Sequence, residues 1–525
     1  MKLWKGINRL AKSTPERAAL NELTYRGLKD SILRCIRFLP GLKDKRVALI
    51  VGNRPLWAIY DIALTLKGAT VVPVPWFFSN EQVRHIIRDA NIDAAVVEPR
   101  WHAISRCPHD AFNGCEIIPA DLSFETPMDS GALWVGADRE IPGDRVVKII
   151  YTSGTTGTPK GVMVTLGAIE TVTASLVERS GASAFDRHLS LLPLSTLIEA
   201  IGGLYVPLSA GATVIYPEEE NPRNVAAGIT NLRNFFHNSG VTTLNLVPAL
   251  LEEMVRVGAL RGLPDTLRFV ACGGAQLSSS LINRAGYLGI PLYQGYGLSE
   301  CVTVVSLNAS GCNRPGSAGL PLDHAKVSLA EDGEIVVSGG ALMKGYLGGD
   351  GEEIRSWHTG DVGYMDDHGY LHVTGRKDAL LSTSYGRSVS PEWVEEELAS
   401  SGVVRQVMVC GNGRPFLSAL VVPDERWLIE TSRKLSIEGS RGALIKHPAV
   451  LKAASKELDG AMGSLPDYAT AREFALIEEP FDTRRGLLTP GGCLNRENIL
   501  KTYGEVIAGL YDNHTNKEGE SVQAT

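Results

Sequence analysis

Long apolar stretches, basic clusters and closely paired cysteines are all missing from this chain of 525 residues. No stretch approaches the ~20 apolar residues that a helix needs to cross a bilayer, so no transmembrane segment is predicted. The N-terminus has no long apolar region of the kind found in signal peptides. A net charge of -7 without a local basic run argues against nucleic acid as a partner.

The eight cysteines are scattered, and none forms a Cys-x-x-Cys pair. In a chain of this size without a signal peptide, such cysteines are typical of reduced thiols. We therefore expect a cytoplasmic protein. Its content of 44% apolar and 21% charged residues is that of a soluble globular protein.

The first half of the chain alternates short apolar runs with amphipathic stretches. Residues 46–51 and 69–74 have the pattern of strands, and residues 56–66 between them have the pattern of a helix. This alternation predicts an α/β fold with parallel sheets flanked by helices. A chain of this length also exceeds one ordinary core, so several domains are expected.

The pattern changes after about residue 325. Short alternating strands separated by Asp-Gly or His-Gly turns predict a β-rich subdomain at about 325–375. From residue 376 the pattern is α+β, with a helix at 391–400 and strands at 404–410 and 418–422. We predict an N-terminal domain at 1–375, a small mobile C-terminal domain at 376–512 and a polar tail at 513–525.

The most informative segment, 151–161, reads Tyr-Thr-Ser-Gly-Thr-Thr-Gly-Thr-Pro-Lys-Gly and follows a strand-like run. Hydroxyls and unhindered backbone N–H groups bind phosphate oxygens, and Lys160 can add a charge. The spacing differs from a P-loop, which needs Gly-x4-Gly-Lys-Ser/Thr. The candidate phosphate-binding residues are Thr152, Ser153, Gly154, Thr155, Thr156, Gly157 and Lys160.

This segment resembles the signature loop of the adenylate-forming (AMP-binding) superfamily, which includes acyl-CoA synthetases, luciferases and peptide-synthetase adenylation domains. The resemblance covers roughly residues 10–510, with further motifs in the family's order. They are Leu192-Pro-Leu-Ser195, Cys272-Gly-Gly-Ala-Gln276, Gln294-Gly-Tyr-Gly-Leu-Ser-Glu300, His358-Thr-Gly-Asp361 and Gly375-Arg376.

The resemblance implies an ATP site with assigned roles. Tyr296 would offer an aromatic face to adenine, Ser299 would bond the α-phosphate and Glu300 would bind Mg²⁺. Asp361 would accept the ribose hydroxyls, and Arg376 would add charge near the α-phosphate. The nucleotide-binding candidates in these motifs are Gly274, Ala275, Gln276, Gln294, Gly295, Tyr296, Gly297, Ser299, Asp361 and Arg376.

The implied reaction is attack of a carboxylate on the α-phosphorus of ATP, which gives an acyl-adenylate and pyrophosphate. Catalysis would consist of positioning and charge neutralisation by Lys160, Ser299, Glu300 and Arg376. A thiol or amine would then accept the acyl group. In the family the C-terminal domain rotates between the two steps about a hinge, which corresponds here to Asp378.

One departure concerns the family's catalytic lysine near the C-terminus. The motif aligns without a gap at 488–496, and Cys493 stands at the lysine position. A neutral thiol cannot bridge carboxylate and phosphate as an ammonium does. Either another cation replaces it, namely Arg485, Arg496 or Lys501, or adenylation is slow.

Other departures concern the second substrate. Tyr385 stands where many relatives have a glycine bordering the pantetheine passage. The default acceptor is CoA, and the alternative is an amino acid amine, as in coronafacate ligase. An adenylate-binding pseudoenzyme is a further alternative. The quaternary structure stays open, with a homodimer as one option.

The acid is indicated only by the residues at the expected acyl pocket, which are Thr196, Val247, Gly273 and Cys301. The segments around them are mostly apolar or small. They contain no lysine or arginine that would suggest a second carboxylate, and no acidic residue that would suggest an ammonium. A neutral, largely hydrocarbon acid is therefore expected.

Overall fold

A computed structural model of the chain describes most of its residues. The described ranges are 1–39, 41–75, 78–99, 112, 114–126, 140–152, 159–217, 240–261, 263–349, 352–384, 388–488 and 494–511. Several predicted features lie outside them: the phosphate-loop residues Ser153 to Gly157, Tyr385, Cys493 and the polar tail.

Helices and strands are numbered in chain order. The helices are α1 Lys2–Ser13, α2 Tyr25–Phe38, α3 Pro55–Leu66, α4 Asn80–Asp89, α5 Leu166–Ser180, α6 Val206–Ala210, α7 Pro248–Arg261, α8 Ser279–Tyr287, α9 Pro391–Ala399, α10 Glu425–Leu435, α11 Arg441–Leu444, α12 Pro448–Ala461 and α13 Arg496–Thr502, with a π-helix at Ile198–Tyr205. The strands are β1 Ala18–Leu20, β2 Leu23–Thr24, β3 Arg46–Ile50, β4 Thr70–Pro73, β5 Ala94–Val97, β6 Glu116–Pro119, β7 Val146–Thr152, β8 Lys160–Thr165, β9 Arg187–Leu189, β10 Thr213–Ile215, β11 Thr243–Leu246, β12 Phe269–Cys272, β13 Leu292–Tyr296, β14 Ser306–Leu307, β15 Leu320–Pro321, β16 Ala325–Leu329, β17 Glu334–Gly339, β18 Gly345–Tyr346, β19 Ser356–Met365, β20 Leu371–Arg376, β21 Leu381–Ser382, β22 Ser388–Val389, β23 Val404–Cys410, β24 Leu417–Pro423 and β25 Ala471–Leu476.

Two large sheets form the centre of the N-terminal part. One has the order β18-β8-β7-β4-β3-β5-β6, and the other has the order β15-β14-β13-β12-β11-β9-β10-β1-β2. Their central strands pair in parallel, as β3 does with β4 and β11 with β12. Antiparallel strands form the β18 edge of the first sheet and the β15 edge of the second. The predicted α/β class is confirmed.

Helix α3 packs within the largest apolar core of the molecule, and all of its residues are buried. Asp61 is an acidic residue within this buried helix. It pairs with the Lys148 ammonium of β7, and neither side chain is exposed. The Tyr205 hydroxyl donates to the other Asp61 oxygen at 2.6 Å. The pair therefore joins α3, β7 and the π-helix inside the core.

The β-rich subdomain is an antiparallel sheet with the order β16-β17-β19-β20. The alternating pattern predicted β16, β17 and β20. It did not predict β19, because Gly360 and Gly363 interrupt the apolar alternation and the register shifts between Val362 and Gly363. Strand β19 carries Asp361 and places it directly opposite Arg376 on β20.

The C-terminal part has apolar cores of its own. Strand β24 pairs antiparallel with β23 and parallel with β25. One cluster joins this sheet to α9, α10 and α12, and another lies around Phe481 and Ile499. Helix α9 and strands β23 and β24 match the predicted elements, whereas α10, α12 and β25 were not predicted. Among the described residues, no helix is both long and apolar enough to span a bilayer.

Candidate nucleotide and acyl site

A cavity of about 240 Å³ lies on the second large sheet, near the carboxyl ends of β12 and β13. Gly273 and Gly274 after β12, Tyr296 at the end of β13 and Ser299 line one part of it. In parallel sheets, ligands bind beyond the carboxyl ends of the strands. Two of the predicted nucleotide motifs, at 272–276 and 294–300, therefore contribute residues to one cavity.

Asp361 lies between two hydrogen-bond donors at this site. The Tyr296 hydroxyl donates to its Oδ2 at 2.6 Å, and Arg376 Nη1 donates to its Oδ1 at 3.1 Å. Burial raises the pKa of the Asp361 carboxyl, while Tyr296 and Arg376 oppose this change. Burial and the neighbouring Asp361 charge also raise the pKa of Tyr296. The three residues form one polar cluster where the second large sheet meets the sheet of the β-rich subdomain.

The turn after β13 fixes the backbone around Ser299 and Glu300. These residues begin a short 3₁₀ helix, and Val302 and Thr303 after it have φ values of 52° and 85°. Such left-handed conformations are costly for these residue types and cluster at functional sites. A Cβ at Gly297 would lie 1.6 Å from the Thr303 carbonyl oxygen, so only glycine fits there.

Tyr346 on β18 contacts two predicted site residues, although the sequence analysis did not name it. Its hydroxyl donates to Glu300 Oε1 at 2.6 Å, and the Lys160 ammonium lies 5.6 Å from its ring centroid. Burial and this hydrogen bond raise the pKa of Tyr346. Lys160 lies opposite Thr152, because β8 pairs with β7. No sequence spacing links Tyr346 to these residues.

The site fits a magnesium ion only with help from the nucleotide. Glu300 offers the hard carboxylate oxygen that Mg²⁺ prefers. Within the described ranges, no group of three or more His, Cys, Asp or Glu residues could hold a metal ion. Phosphate oxygens and water would therefore have to complete the coordination of an ion at Glu300.

The loop 273–276 of the N-terminal part contacts the C-terminal part. Gly274, Ala275 and Gln276 are exposed, and Gly274 has a φ of 86°. The Gln276 side chain hydrogen-bonds Glu396 of α9. Burial, mainly, raises the pKa of Glu396 to about 8. The loop predicted to lie beside adenine thus contacts the C-terminal helix.

Two further nucleotide candidates are held by the same sheet. The Gln294 side chain accepts a hydrogen bond from Gly316 N at 2.6 Å, which directs it toward the loop before β15. A Cβ at Gly295 would lie 2.9 Å from Leu307 Cδ1 on β14.

The predicted acyl-pocket residues do not all come together. Thr196 and Gly273 line the cavity. Val247 is partly buried against the apolar cluster of β11 and α7. Cys301 is 2% exposed and packs with Val305 and Ala325 in the core of the β-rich subdomain, so it faces away from the cavity.

The predicted hinge residue, Asp378, lies in a short 3₁₀ helix directly after β20. Its carboxylate accepts a hydrogen bond from Arg376 Nε at 3.2 Å. Arg376 therefore contacts both Asp361 and Asp378.

The three candidate replacements for the missing lysine are each paired within the C-terminal part. Arg496 donates to both Glu395 oxygens at 2.7 Å. Arg485 pairs with Glu479 at 2.7 Å, and Lys501 pairs with Glu497 at 2.7 Å. Leu488 and Leu494 form a β-bridge that holds both ends of the segment containing Cys493.

Comparison with known proteins agrees with this architecture. Residues 7–347 match the family described as AMP-binding enzyme, and residues 378–515 match the AMP-binding enzyme C-terminal domain. The long-chain-fatty-acid–CoA ligase FadD15 of Mycobacterium bovis is 24% identical, over 89% of this chain and 88% of that protein.

Two solved structures share the fold. An anthranilate CoA ligase in complex with anthranoyl-AMP has a TM-score of 0.78 and 18% identity, covering 95% of this chain and 96% of that one. The o-succinylbenzoate CoA synthetase of Bacillus subtilis, in complex with ATP and magnesium, has a TM-score of 0.72 and 21% identity, covering 94% and 98%.

This chain belongs to the AMP-binding enzyme family. It is an adenylate-forming ligase.

Proposed function

We propose that this chain is an acyl-CoA synthetase that activates a neutral, largely apolar carboxylic acid with ATP and transfers it to CoA. The observation that carries the proposal is the single cavity that reaches from Ser299 and Tyr296 to the apolar side chains of β12 and the π-helix. Both an adenylate and an acyl group need such a continuous space. The FadD15 relative, a CoA ligase, supports CoA as the acceptor.

In the first half-reaction, a carboxylate oxygen attacks the α-phosphorus of ATP. A new P–O bond forms, the bond to the β-phosphate oxygen breaks, and pyrophosphate leaves. Asp361 binds the ribose hydroxyls, while Lys160, Ser299 and Arg376 orient the phosphates and balance their charge. Magnesium held by Glu300 and the nucleotide would neutralise further phosphate charge.

In the second half-reaction, the CoA sulfur attacks the acyl carbonyl carbon. A C–S bond forms, the C–O bond to the phosphate breaks, AMP leaves, and the thiol proton passes to solvent. Rotation of the C-terminal part about Asp378 would exchange the surfaces that face the cavity between the two steps.

The test is an incubation with ATP, Mg²⁺ and a panel of acids, followed by CoA or by amino acids, with the products identified by mass. AMP, pyrophosphate and an acyl-CoA are expected. ADP as the stoichiometric product would overturn the adenylation mechanism, and an acyl-amino acid without acyl-CoA would overturn the acceptor. Asp361→Asn should weaken ATP use, whereas Asp367→Asn, an exposed carboxylate just after β19, is the matched control.

A further inference from the structure

The wall of the cavity is polar on strands β9 and β11. His188 and Thr243 lie side by side in the parallel register of these strands, and both line the cavity together with Asn245. Since side chains alternate along a strand, Ser190 shares this face with His188. This polar face lies inside the sheet, whereas Gly274 and Ser299 belong to the loops at its carboxyl edge.

Glu199 of the π-helix lies behind this face. It is fully buried, and Asn245 Nδ2 donates to its Oε2 at 3.3 Å. Its Oε1 lies 3.7 Å from His188 Nε2. The carboxylate accepts only, so it fixes the orientation of the Asn245 amide.

Several polar atoms on this face or behind it have no hydrogen-bond partner within the described part of the chain. They are Glu199 Oε1, His188 Nε2, Ser190 Oγ and Tyr216 OH. His188 is 3% exposed and Glu199 is 0% exposed. Buried polar atoms are nearly always satisfied by protein, water or a ligand, so a cluster of orphans beside a cavity indicates a binding site.

The π-helix makes room for these groups. A Cβ at Gly203 would lie 2.3 Å from Glu199 Oε1, and a Cβ at Gly202 would lie 3.0 Å from Asn245 Nδ2. Glycine at both positions therefore leaves room for the carboxylate of Glu199 and the amide of Asn245 as they lie here. π-helical turns are rare and occur frequently at functional sites.

The two closest orphans, His188 Nε2 and Glu199 Oε1, lie 3.7 Å apart, which is too far for a direct hydrogen bond. His188 Nδ1 lies 3.0 Å from Thr243 Oγ1. When that hydroxyl donates to Nδ1, Nε2 carries the proton and must donate, while Glu199 Oε1 must accept. An oxygen atom beside this pair, about 2.8 Å from each of the two atoms, would form two ordinary hydrogen bonds. A hydroxyl meets both demands, whereas an ammonium meets only that of Glu199.

We infer that the acid activated by this chain carries a hydroxyl group remote from its carboxylate, which accepts from His188 Nε2 and donates to Glu199 Oε1, with Asn245 as the positioning residue for Glu199. The inference rests on the proposed function, because it names the class of acid used by that cavity. The reacting carboxylate lies at the Ser299 end, and the hydroxyl lies on the face formed by β9 and β11.

The experiment measures kcat/KM for acyl-CoA formation with straight-chain acids of six to twelve carbons. Each acid is compared with its ω-hydroxy and ω-amino counterparts. The hydroxy acid should be preferred over the plain acid by at least about tenfold at one chain length, because unpaired buried polar groups reject an analogue that lacks the hydroxyl. The inference would be overturned if kcat/KM for every plain acid, or for an ω-amino acid, equalled or exceeded that for the matching ω-hydroxy acid. Absence of acyl-CoA with all acids would instead count against the proposed function.

Glu199→Gln tests the acceptor of this hydroxyl. An amide in place of the carboxylate puts a donor opposite His188 Nε2. The ratio of kcat/KM for the hydroxy acid to kcat/KM for the plain acid should therefore fall toward one. Thr65→Val is the control, because it removes a buried hydrogen bond of α3, to the Asp61 carbonyl, away from the cavity. An unchanged ratio in Glu199→Gln would overturn the role of Glu199. The ratio is insensitive to a general loss of folded enzyme.

Discussion

The Tyr346 hydroxyl donates a 2.6 Å hydrogen bond to Glu300, while the ring of the same tyrosine lies 5.6 Å from the Lys160 ammonium. One side chain on an edge strand thus touches the proposed metal ligand and the proposed phosphate-binding lysine. The hydroxyl and the ring have separable roles, since phenylalanine retains the ring alone.

We expect Glu300→Gln to lower the rate of acyl-adenylate formation by about tenfold or more, because a magnesium ligand loses its charge. High Mg²⁺ should restore part of the rate. Tyr346→Phe should cause a loss of at most about tenfold with a similar shift in Mg²⁺ dependence, since it removes a hydrogen bond to a charged group. The measurement is the adenylation rate against Mg²⁺ concentration.

The control for these variants is Tyr364→Phe, because Tyr364 stacks on His372 in the β-rich subdomain and its side chain is half-exposed. An unchanged Mg²⁺ dependence in Glu300→Gln would show that another group holds the metal.

Cys493→Lys should accelerate acyl-adenylate formation. A positioned ammonium stabilises the charge that develops at phosphorus, a contribution of roughly 2–4 kcal/mol by analogy with one oxyanion donor. Transfer from a supplied acyl-adenylate should stay about the same. The two half-reactions are measured separately on the variant and the wild type.

Arg485→Ala and Lys501→Ala should leave the adenylation rate unchanged, because Glu479 and Glu497 hold these cations. A selective loss of adenylation in either variant would instead assign the missing charge to that residue.

Lys148→Met should destabilise the N-terminal part by about 3–5 kcal/mol, because Asp61 would remain as an unpaired buried charge. Lys148→Met combined with Asp61→Leu should recover much of this loss. Urea unfolding midpoints of the single and double variants decide the matter. If the double variant is no more stable than the single one, charge pairing is not the cause.

The stability contribution of Glu396 on α9 should depend on pH, because burial raises the pKa of its carboxyl. The pKa of Glu396 is raised to about 8, above its ordinary value of 4.5. The folded form therefore binds the proton more tightly, so this contribution to stability is complete below pH 4.5. It is lost as the pH rises through about 8.

The unfolding midpoint of the wild type should thus fall between pH 5.5 and 8, and this fall should be smaller in Glu396→Gln. The exposed Glu430→Gln on α10 is the control. Identical pH profiles for Glu396→Gln and the wild type would remove Glu396 as the titrating group.

The sequence was most informative where local pattern determines structure. Apolar runs located β3 and β4, and ordered motifs located Tyr296, Asp361 and Arg376, which the structure brings together. Strand β19 was not predicted, since its glycines interrupt the alternation.

Residues that meet only through sheet register could not be predicted. Tyr346 reaches Lys160 because β18 pairs with β8. The polar face of His188 and Thr243 depends on β9 lying beside β11, although the two residues are 55 positions apart along the chain. The predicted pocket residue Cys301 was misleading for the same reason, because its neighbours come from the β-rich subdomain.

Helix α9 is attached at two places at once. Glu396 forms a hydrogen bond with Gln276 on the loop 273–276. The preceding residue, Glu395, accepts hydrogen bonds from Arg496, which follows the segment that contains residue 493. One helix thus holds a contact to the N-terminal part and a contact to the segment near residue 493 at the same time. A rotation of α9 that breaks its contact with the loop 273–276 would also move Arg496 and the segment before it. The loss of the loop contact and the displacement of the segment of residue 493 are therefore coupled.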